Sequence, residues 1–265
     1  MRGLVALDLD GTLLDEDCGI PVGHEHAVAG MRRAGFAVAI VTGRPLLSSR
    51  WIHAHLRLDT PMGCFNGGWV GHPGAAPFAW APLPESDVRR ILAALAGRAG
   101  SRSCYPDADT WCMDEETALT RGWSDLYRVP IHIGKERFDA WNGPSCKVMF
   151  VADPALIPAT ANELRARFGA EFQVVISQRD RIEILPGAIT KAWGLARLAA
   201  FLGVPRERVW AVGDNDNDRE MIQWAGHGCA MGQASDAVRS LARHVLPGVA
   251  ARGLCALVPM LEKID

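Results

Sequence analysis

Short apolar runs alternate with amphipathic stretches over the first 65 residues of the chain. The apolar runs lie at 3–9, 36–41 and 62–65 and have the length of buried strands. The amphipathic stretches lie at 22–34 and 45–56 and have the length of helices with one buried face. This alternation predicts a parallel sheet that is covered by helices on both faces.

The same alternation returns in the last third of the chain. The predicted helices lie at 190–202, 217–224 and 235–242, and the predicted strands lie at 209–212 and 229–231. We therefore assign both ends of the chain to one α/β domain. It is a Rossmann-like parallel-sheet core that comprises residues 1–81 and 186–265.

The segment 82–185 has a different pattern and predicts an α+β domain inserted into the core. The runs at 172–177 and 181–185 alternate apolar and polar residues, as antiparallel strands with one wet face do. Helices are predicted at 87–99 and 155–168, a hairpin at 101–113 and a further strand at 146–151.

Composition narrows the class of partner. The chain has 265 residues, of which 49% are hydrophobic and 22% charged, with a net charge of −2 and no run of like charges. Nucleic acids and anionic membrane surfaces attract concentrated positive charge, so neither is the expected partner. A small anionic ligand needs only a local pocket, so the net charge of −2 does not argue against one. The oligomeric state is left open.

Cysteine usage and the N-terminal residues predict a cytoplasmic protein. The seven cysteines include no C-x-x-C pair, which is typical of reduced thiols. The N-terminus reaches acidic residues too early for a signal peptide, and no apolar run is long enough to span a bilayer.

The first chemical motif is Asp-Leu-Asp-Gly-Thr at 8–12, where the first predicted strand ends. If that strand continues to Asp10, the side chains of Asp8 and Asp10 point the same way and share one site. Two neighbouring carboxylates repel each other and lose hydration, and a divalent cation is the usual compensation. A plain strand end followed by a polar turn is the alternative for this motif taken alone.

Two further motifs are less specific. Thr42, Gly43 and Arg44 follow the second strand, where a hydroxyl and backbone N–H groups before a helix can hold a phosphate. Lys191 lies in the first turn of a predicted helix. Taken alone, the first is as readily a plain strand-turn-helix junction, and the lysine is more readily a solvated surface residue.

The fourth motif, Gly-Asp-Asn-Asp-Asn-Asp at 213–218, follows a buried strand and is dense in oxygen ligands. Its spacing does not complete a calcium-binding loop, which needs a glycine and a distal glutamate at fixed positions. An acidic surface turn with a capping aspartate is the alternative for this motif taken alone. Because the carboxyl ends of parallel strands share one edge of a sheet, we expect all four motifs to meet there. The pairs His24/His26 and His53/His55 lie on predicted helices, where residues two apart diverge by about 200° and do not easily share a metal.

Together, in order and on the expected strands, the four motifs resemble those of the haloacid dehalogenase superfamily. The insertion between the second and third motifs is similar to that of its Cof-like branch, which carries an inserted type IIB cap (C2B cap) domain. The resemblance covers essentially the whole chain. It extends to Phe-Asn-Gly-Gly at 65–68 and Ala-Met-Gly-Gln-Ala at 230–234.

The resemblance implies a Mg²⁺-dependent phosphatase acting on a small phosphomonoester, such as a sugar phosphate or related metabolite. Asp8 would attack phosphorus to form an aspartyl phosphate, and Asp10 would serve as general acid and then as base. The implied metal ligands are the Asp8 carboxylate, the Asp10 backbone carbonyl and Asp214. The implied phosphate- and substrate-binding residues are Thr42, Gly43, Arg44, Lys191 and Asn217, with Asp218 orienting Lys191 or a metal-bound water.

Two other functions fit the same residues. A phosphomutase would share the core, the cap and the paired aspartates and differ only in the group that receives the phosphoryl group. A non-catalytic module that senses a phosphorylated ligand is the second alternative, although retention of Asp8, Asp10 and Asp214 speaks against it. The sequence does not identify the substrate or the cap residues that select it.

Overall fold

The computed structural model describes residues 1–264, and these fall into two compact units. Unit 1 comprises Met1–Arg44, Ser49–Trp80 and the chain from Thr190 onward, and unit 2 comprises Pro45–Ser48 and Ala81–Ile189. The division predicted from the sequence, 1–81 and 186–265 against 82–185, places its boundaries at slightly different residues and does not separate 45–48. That these units are the core and cap domains stays a prediction.

The helices and strands are as follows in chain order. The first part contains β1 Gly3–Leu7, α1 Val22–Arg33, β2 Phe36–Ile40, α2 Leu46–His55, β3 Met62–Cys64, β4 Trp69–Gly71 and β5 Ala79–Trp80. The middle contains α3 Glu85–Leu95, β6 Ser101–Cys104, β7 Trp111–Met113, α4 Trp123–Tyr127, β8 Ile131–Ile133, α5 Lys135–Asp139, β9 Val148–Val151, α6 Ile157–Phe168, β10 Phe172–Gln178 and β11 Arg181–Pro186. The last part contains α7 Lys191–Phe201, β12 Val209–Gly213, α8 Arg219–Trp224, β13 His227–Ala230, α9 Asp236–Arg239, β14 His244–Val245 and α10 Val258–Glu262.

A five-stranded sheet with strand order β14-β13-β12-β1-β2 forms the centre of unit 1, and its neighbouring strands are parallel. β1 and β12 are buried along their whole length, because helices cover the sheet and strands buried on both faces need apolar residues throughout. The side chains of α7 and α8 pack on one face with Leu4, Ala6 and Ala211. The predicted α/β class and the parallel core are confirmed.

The first strand is shorter than predicted. β1 ends at Leu7, and the carbonyl oxygen of Leu9 accepts hydrogen bonds from the N–H groups of residues 12, 13 and 14, at 2.8 to 3.2 Å. The chain therefore turns directly after Asp8. The strand does not continue to Asp10, so the condition for the two side chains to point the same way along a strand is not met, and the turn places them instead.

The run at 62–65 was predicted as another core strand, and this is only partly correct. β3 contributes one parallel bridge, between Val41 and Gly63, beside the core sheet. β3 instead pairs antiparallel with β4, and β4 pairs antiparallel with β5, so these three strands form a separate sheet. The tight turn at 65–68 folds the chain back on itself and forms this hairpin.

Unit 2 contains a six-stranded sheet with strand order β10-β11-β9-β6-β7-β8, antiparallel except for the β7–β8 pair. The side chains of α3 and α6 bury one face of it, in a core that includes Ile91, Leu164, Phe150 and Ile184. The predicted hairpin and the β10–β11 pair are present. The segment 114–145, for which the sequence pattern predicted no element, adds α4, β8 and α5. Within residues 1–264, no helix has the length and apolarity needed to cross a membrane.

Candidate active site

Lys191 lies at the start of α7 and is almost completely buried, with 1% of its surface exposed. A cation in the first turn of a helix is disfavoured by the helix dipole, and burial adds a desolvation penalty. Two buried carboxylates compensate: Nζ donates to Asp8 Oδ1 at 2.7 Å and to Asp218 Oδ1 at 2.6 Å. The solvated-lysine alternative is therefore wrong, and the lysine joins two motifs that are far apart in the sequence.

Asp218 is fully buried, and both of its carboxylate oxygens are engaged. Oδ1 accepts from Lys191, and Oδ2 accepts from the backbone N–H groups of Asp214 and Asn215, each at 3.0 Å. A side chain at Gly213 would come within 2.4 Å of the Asp218 carboxyl carbon, so the strand end must be a glycine. Asp218 thus fixes both the lysine and the loop that carries Asp214.

The carboxylates of Asp8, Asp214 and Asp218 form a cluster whose oxygens lie within 4.8 Å of one another. Burial raises the pKa of Asp8 well above its usual range, and Asp218 raises it further while Lys191 opposes the shift. Burial, followed by the charge of Asp218, raises the pKa of Asp214 to about 6. Burial alone would lower the pKa of Lys191, but Asp218 and Asp8 raise it.

Three carboxyl groups share one ammonium group in this cluster, and burial together with their mutual repulsion raises the pKa values of Asp8 and Asp214. Asp218 has no free oxygen, whereas Asp8 Oδ2 accepts no hydrogen bond within residues 1–264. Asp214 Oδ1 accepts from the Thr12 hydroxyl at 3.1 Å, and its other oxygen packs against Gly11. Hard divalent cations prefer carboxylate oxygens, so the donor set of Asp8 and Asp214 fits such an ion.

Gly11 is required where the first motif meets the fourth. Its φ is +74°, in the left-handed region that favours glycine, and an added Cβ would lie 2.3 Å from Asp214 Oδ2. The Gly11 carbonyl oxygen also accepts from Gln233 Nε2 at 2.5 Å. The Asp214 carboxylate is therefore held directly against the turn that follows Asp8.

Asp10 has a different environment from Asp8. Its side chain is 55% exposed, and the Arg44 guanidinium binds both of its oxygens, from Nε at 2.9 Å and from Nη2 at 2.5 Å. Asp10 nevertheless lies near enough to raise the pKa of Asp8. Arg44 was predicted to bind phosphate, but its guanidinium is engaged with Asp10, and a direct role at the phosphate stays a prediction.

Thr42 and Gly43 follow the end of β2; Thr42 is buried and Gly43 is half-buried. The Thr42 hydroxyl oxygen accepts from the Arg44 N–H at 3.1 Å, which leaves the hydroxyl hydrogen available to another acceptor. Gly43 lies against two amide side chains, because an added Cβ would be 3.0 Å from Asn66 Oδ1 and 3.5 Å from Asn217 Nδ2. This places Asn217 of the fourth motif beside the second motif.

Three side chains around these motifs had no predicted role. Thr12 bonds to Asp214, Gln233 bonds to Gly11, and Asn66 accepts from Asn217 Nδ2 at 2.9 Å. Thr12 belongs to the first motif, and the other two belong to the segments 65–68 and 230–234 noted in the sequence. Their positions could be found from the motifs, but their partners could not, because these lie on other loops.

The discounted histidines do not form a metal centre within the described chain. His24 Nδ1 pairs with the Leu13 carbonyl at 3.1 Å, and His53 Nε2 with the Thr60 carbonyl at 2.7 Å. His55 pairs with Glu25. These histidines serve local packing and hydrogen bonding.

The parallel-sheet fold with a cluster of carboxylates at its strand ends suits a hydrolase, and comparison with known families gives the same class. A family model described as haloacid dehalogenase-like hydrolase matches residues 5–256. The chain therefore belongs to the haloacid dehalogenase-like hydrolases, and to their Cof-like branch.

Two similar proteins are named phosphatases. The chain is 31% identical over 253 residues to the 5-amino-6-(5-phospho-D-ribitylamino)uracil phosphatase of Bacillus subtilis, with 90% of each chain covered. It is 28% identical over 243 residues to the HMP-PP phosphatase of Cronobacter sakazakii, with 88% of this chain and 85% of that protein covered.

Solved structures share the fold over the whole chain. A haloacid dehalogenase-like hydrolase from Bacteroides thetaiotaomicron has a TM-score of 0.88 at 24% identity, with 98% of this chain and 100% of that chain covered. A subclass IIB sugar phosphatase has a TM-score of 0.83 at 18% identity, with 97% and 98% covered. Family and relatives together show that the protein is a phosphatase acting on small phosphomonoesters, so the non-catalytic alternative is set aside.

Proposed function

We propose that the protein is a Mg²⁺-dependent phosphatase that hydrolyses a small phosphomonoester through an aspartyl phosphate on Asp8. The observation that carries the proposal is the buried cluster in which Lys191 bridges Asp8 and Asp218 beside Asp214. An ordinary structural ion pair needs no third carboxylate. Three carboxyl groups that share one ammonium group, next to an oxygen without a hydrogen-bond partner, suit a site that receives both a cation and a phosphoryl group.

In the first step, Asp8 Oδ2 attacks phosphorus. The bond between phosphorus and the leaving oxygen breaks, and Asp10 gives that oxygen a proton. Asp8 Oδ1 stays bonded to Lys191, which holds the nucleophile in one orientation. Because Lys191 is fixed in turn by Asp218, its charge also lies ready for the transferring group.

In the second step, water attacks the phosphorus of the aspartyl phosphate, and Asp10 accepts its proton. The bond between phosphorus and Asp8 breaks, which releases inorganic phosphate and restores the carboxylate. Asp10 suits this proton transfer because it is partly exposed, whereas Asp8 is 4% exposed. Arg44 holds both Asp10 oxygens and thereby fixes the carboxylate in place.

Magnesium would be held by the carboxylates of Asp8 and Asp214 and by the Asp10 backbone carbonyl, and it would neutralise negative charge as phosphoryl transfer proceeds. Thr42, Gly43, Lys191 and Asn217 would bind the phosphate oxygens. The Thr42 hydroxyl hydrogen and the second Nδ2 hydrogen of Asn217 are both available for this.

The test is a screen of phosphorylated metabolites for phosphate release with and without Mg²⁺. Sugar phosphates, the ribitylaminouracil phosphate and HMP-PP are the first compounds to include, because relatives are named for the last two. Asp8→Asn should abolish Mg²⁺-dependent release. Asp59→Asn is the matched control, since its carboxylate is 83% exposed and lies outside the cluster.

Two results would contradict the proposal. The first is turnover of the Asp8→Asn variant at the wild-type rate, and the second is hydrolysis that continues unchanged when divalent cations are chelated. Addition of a bisphosphate activator tests the mutase alternative. A mutase would convert a sugar monophosphate into its isomer and release little phosphate, whereas the proposed phosphatase releases one phosphate for each substrate consumed.

A further inference from the structure

The turn at 65–68 has an unusual backbone for residues other than glycine. Phe65 and Asn66 have φ values of +52° and +53° in succession. The left-handed region costs about 1–2 kcal/mol for most residues, although asparagine tolerates it better than others do. Both side chains are buried, with 0% and 4% of their surface exposed. The surrounding structure must therefore hold the turn in this form.

Backbone hydrogen bonds tie this turn to the loop at the end of β2. The N–H of Asn66 donates to the Thr42 carbonyl at 3.0 Å, and the N–H of Phe65 donates to the Arg44 carbonyl at 3.1 Å. In the reverse direction, the Thr42 N–H donates to the Gly63 carbonyl at 2.9 Å. The turn thus buttresses the loop that the proposed function assigns to phosphate binding.

The side chain of Asn66 faces the fourth motif. Its Oδ1 accepts from Asn217 Nδ2 at 2.9 Å, and this bond lies directly against the α-carbon of Gly43. Within residues 1–264 it is the one hydrogen bond recorded for the Asn217 amide. Asn217 Oδ1 is buried and has no hydrogen-bond partner among the described residues. Asn66 therefore sets the rotation of the Asn217 amide and determines which of its atoms face Gly43.

We infer that Asn66 is a positioning residue of this active site, which acts through Asn217. By holding the amide of Asn217 beside Gly43, it would present one Nδ2 hydrogen to a bound phosphate oxygen. The left-handed turn serves to place this side chain. The inference rests on the proposed phosphate-binding role of Asn217 and adds the residue on which that role depends.

The test is a double-mutant cycle on Asn66 and Asn217. Asn66→Gly removes the side chain and still permits the left-handed backbone. Asn217→Ala removes the amide that Asn66 holds. The readouts are the dissociation constant of inorganic phosphate in the presence of Mg²⁺, measured by calorimetry, and kcat and KM with the best substrate. Asn142→Gly, at an exposed position, is the matched control for the glycine substitution.

If Asn66 acts through Asn217, Asn66→Gly weakens phosphate binding about tenfold, as loss of a supporting contact behind a ligand-binding group does. The double variant then binds phosphate no more weakly than Asn217→Ala alone, because the second change removes nothing further. Asn66→Asp provides an independent check, since it keeps an acceptor oxygen and tolerates the left-handed backbone. In that background Asn217→Ala should weaken binding as much as it does in the wild-type protein.

Two outcomes would overturn the inference: unchanged phosphate affinity in a folded Asn66→Gly variant, or strictly additive losses in its cycle with Asn217→Ala. Because the cycle measures the dissociation constant of inorganic phosphate, it tests the role of Asn66 even if no turnover is found. Failure of the proposed catalysis would appear separately, in the Asp8→Asn comparison.

Discussion

Replacement of Lys191 by methionine tests the charge balance of the site most directly. The substitution keeps a side chain of similar length and removes the ammonium that bonds to Asp8 and Asp218 at 2.7 and 2.6 Å. Breaking a buried ion pair by removal of one partner typically costs about 3–5 kcal/mol, because the other charge is left unpaired. Protonation of Asp8 would relieve part of this cost, since Lys191 opposes the rise of its pKa.

The expected result is therefore a loss of about 3 kcal/mol in the free energy of unfolding at pH 8. The loss should shrink as the pH falls. A carboxyl group whose folded pKa lies above its unfolded value stabilises the fold when protonated, and this contribution disappears as the pH rises through the folded pKa. Urea unfolding followed by tryptophan fluorescence at several pH values measures both effects, with Lys263→Met as an exposed control.

Turnover should fall by about 100-fold or more in Lys191→Met, as it does when one preorganised cationic or hydrogen-bond donor is removed from an active site. The double variant Lys191→Met, Asp218→Asn separates stability from catalysis. Neutralising Asp218 should restore part of the stability and none of the turnover. A folded Lys191→Met variant with wild-type kcat at saturating Mg²⁺ would refute the role assigned to the lysine.

Three further changes probe other parts of the site. The Asp214 carboxyl group has a pKa of about 6, so its proton competes with the metal below that pH. The apparent Mg²⁺ affinity, measured by calorimetry, should therefore be about tenfold lower at pH 5 than at pH 7. An affinity that does not change with pH would contradict this. In Arg44→Lys, the lysine can replace only one of the two hydrogen bonds that Arg44 donates to Asp10. Steady-state kinetics should then show kcat reduced about tenfold with little change in KM. An unchanged kcat would mean that the Arg44–Asp10 pair does not position the acid. Gly11→Ala should abolish activity and lower the melting temperature more than Gly74→Ala. Gly74 has a similar φ of +83° but open space around it, so its substitution reports only the backbone cost of about 1–2 kcal/mol. Equal effects of the two alanine substitutions would show that the contact with Asp214 is unimportant.

Much of the fold could be predicted because its signals are local. The apolar runs of β2 and β12 and the amphipathic helices α1 and α7 match their predicted positions within a few residues. The segment 114–145 gave no such signal. Its helices α4 and α5 have five residues each, too short for helical periodicity to be recognised. The edge strands β5 and β14 have two residues each and also escape recognition.

The residue types at the site, and their order along the chain, could be predicted from the sequence alone. Acids, glycines and a lysine follow apolar runs at the spacing of one known family, and this predicts Asp8, Asp10, Lys191 and Asp214 as site residues; their roles stay a prediction. The contacts could not be predicted. Lys191 and Asp8 are 183 residues apart in the chain, and no local pattern shows that a lysine in a helical first turn points inward.

The tertiary structure alone decided three features of the site. Lys191 is buried between two carboxylates, Arg44 bonds to Asp10, and Asn66 bonds to Asn217. Sequence periodicity reports which face of an element is apolar, because burial of that face is a local property of the pattern. Hydrogen bonds between loops depend on the packing of whole elements, so their partners emerge only when the parallel strands bring their carboxyl ends together.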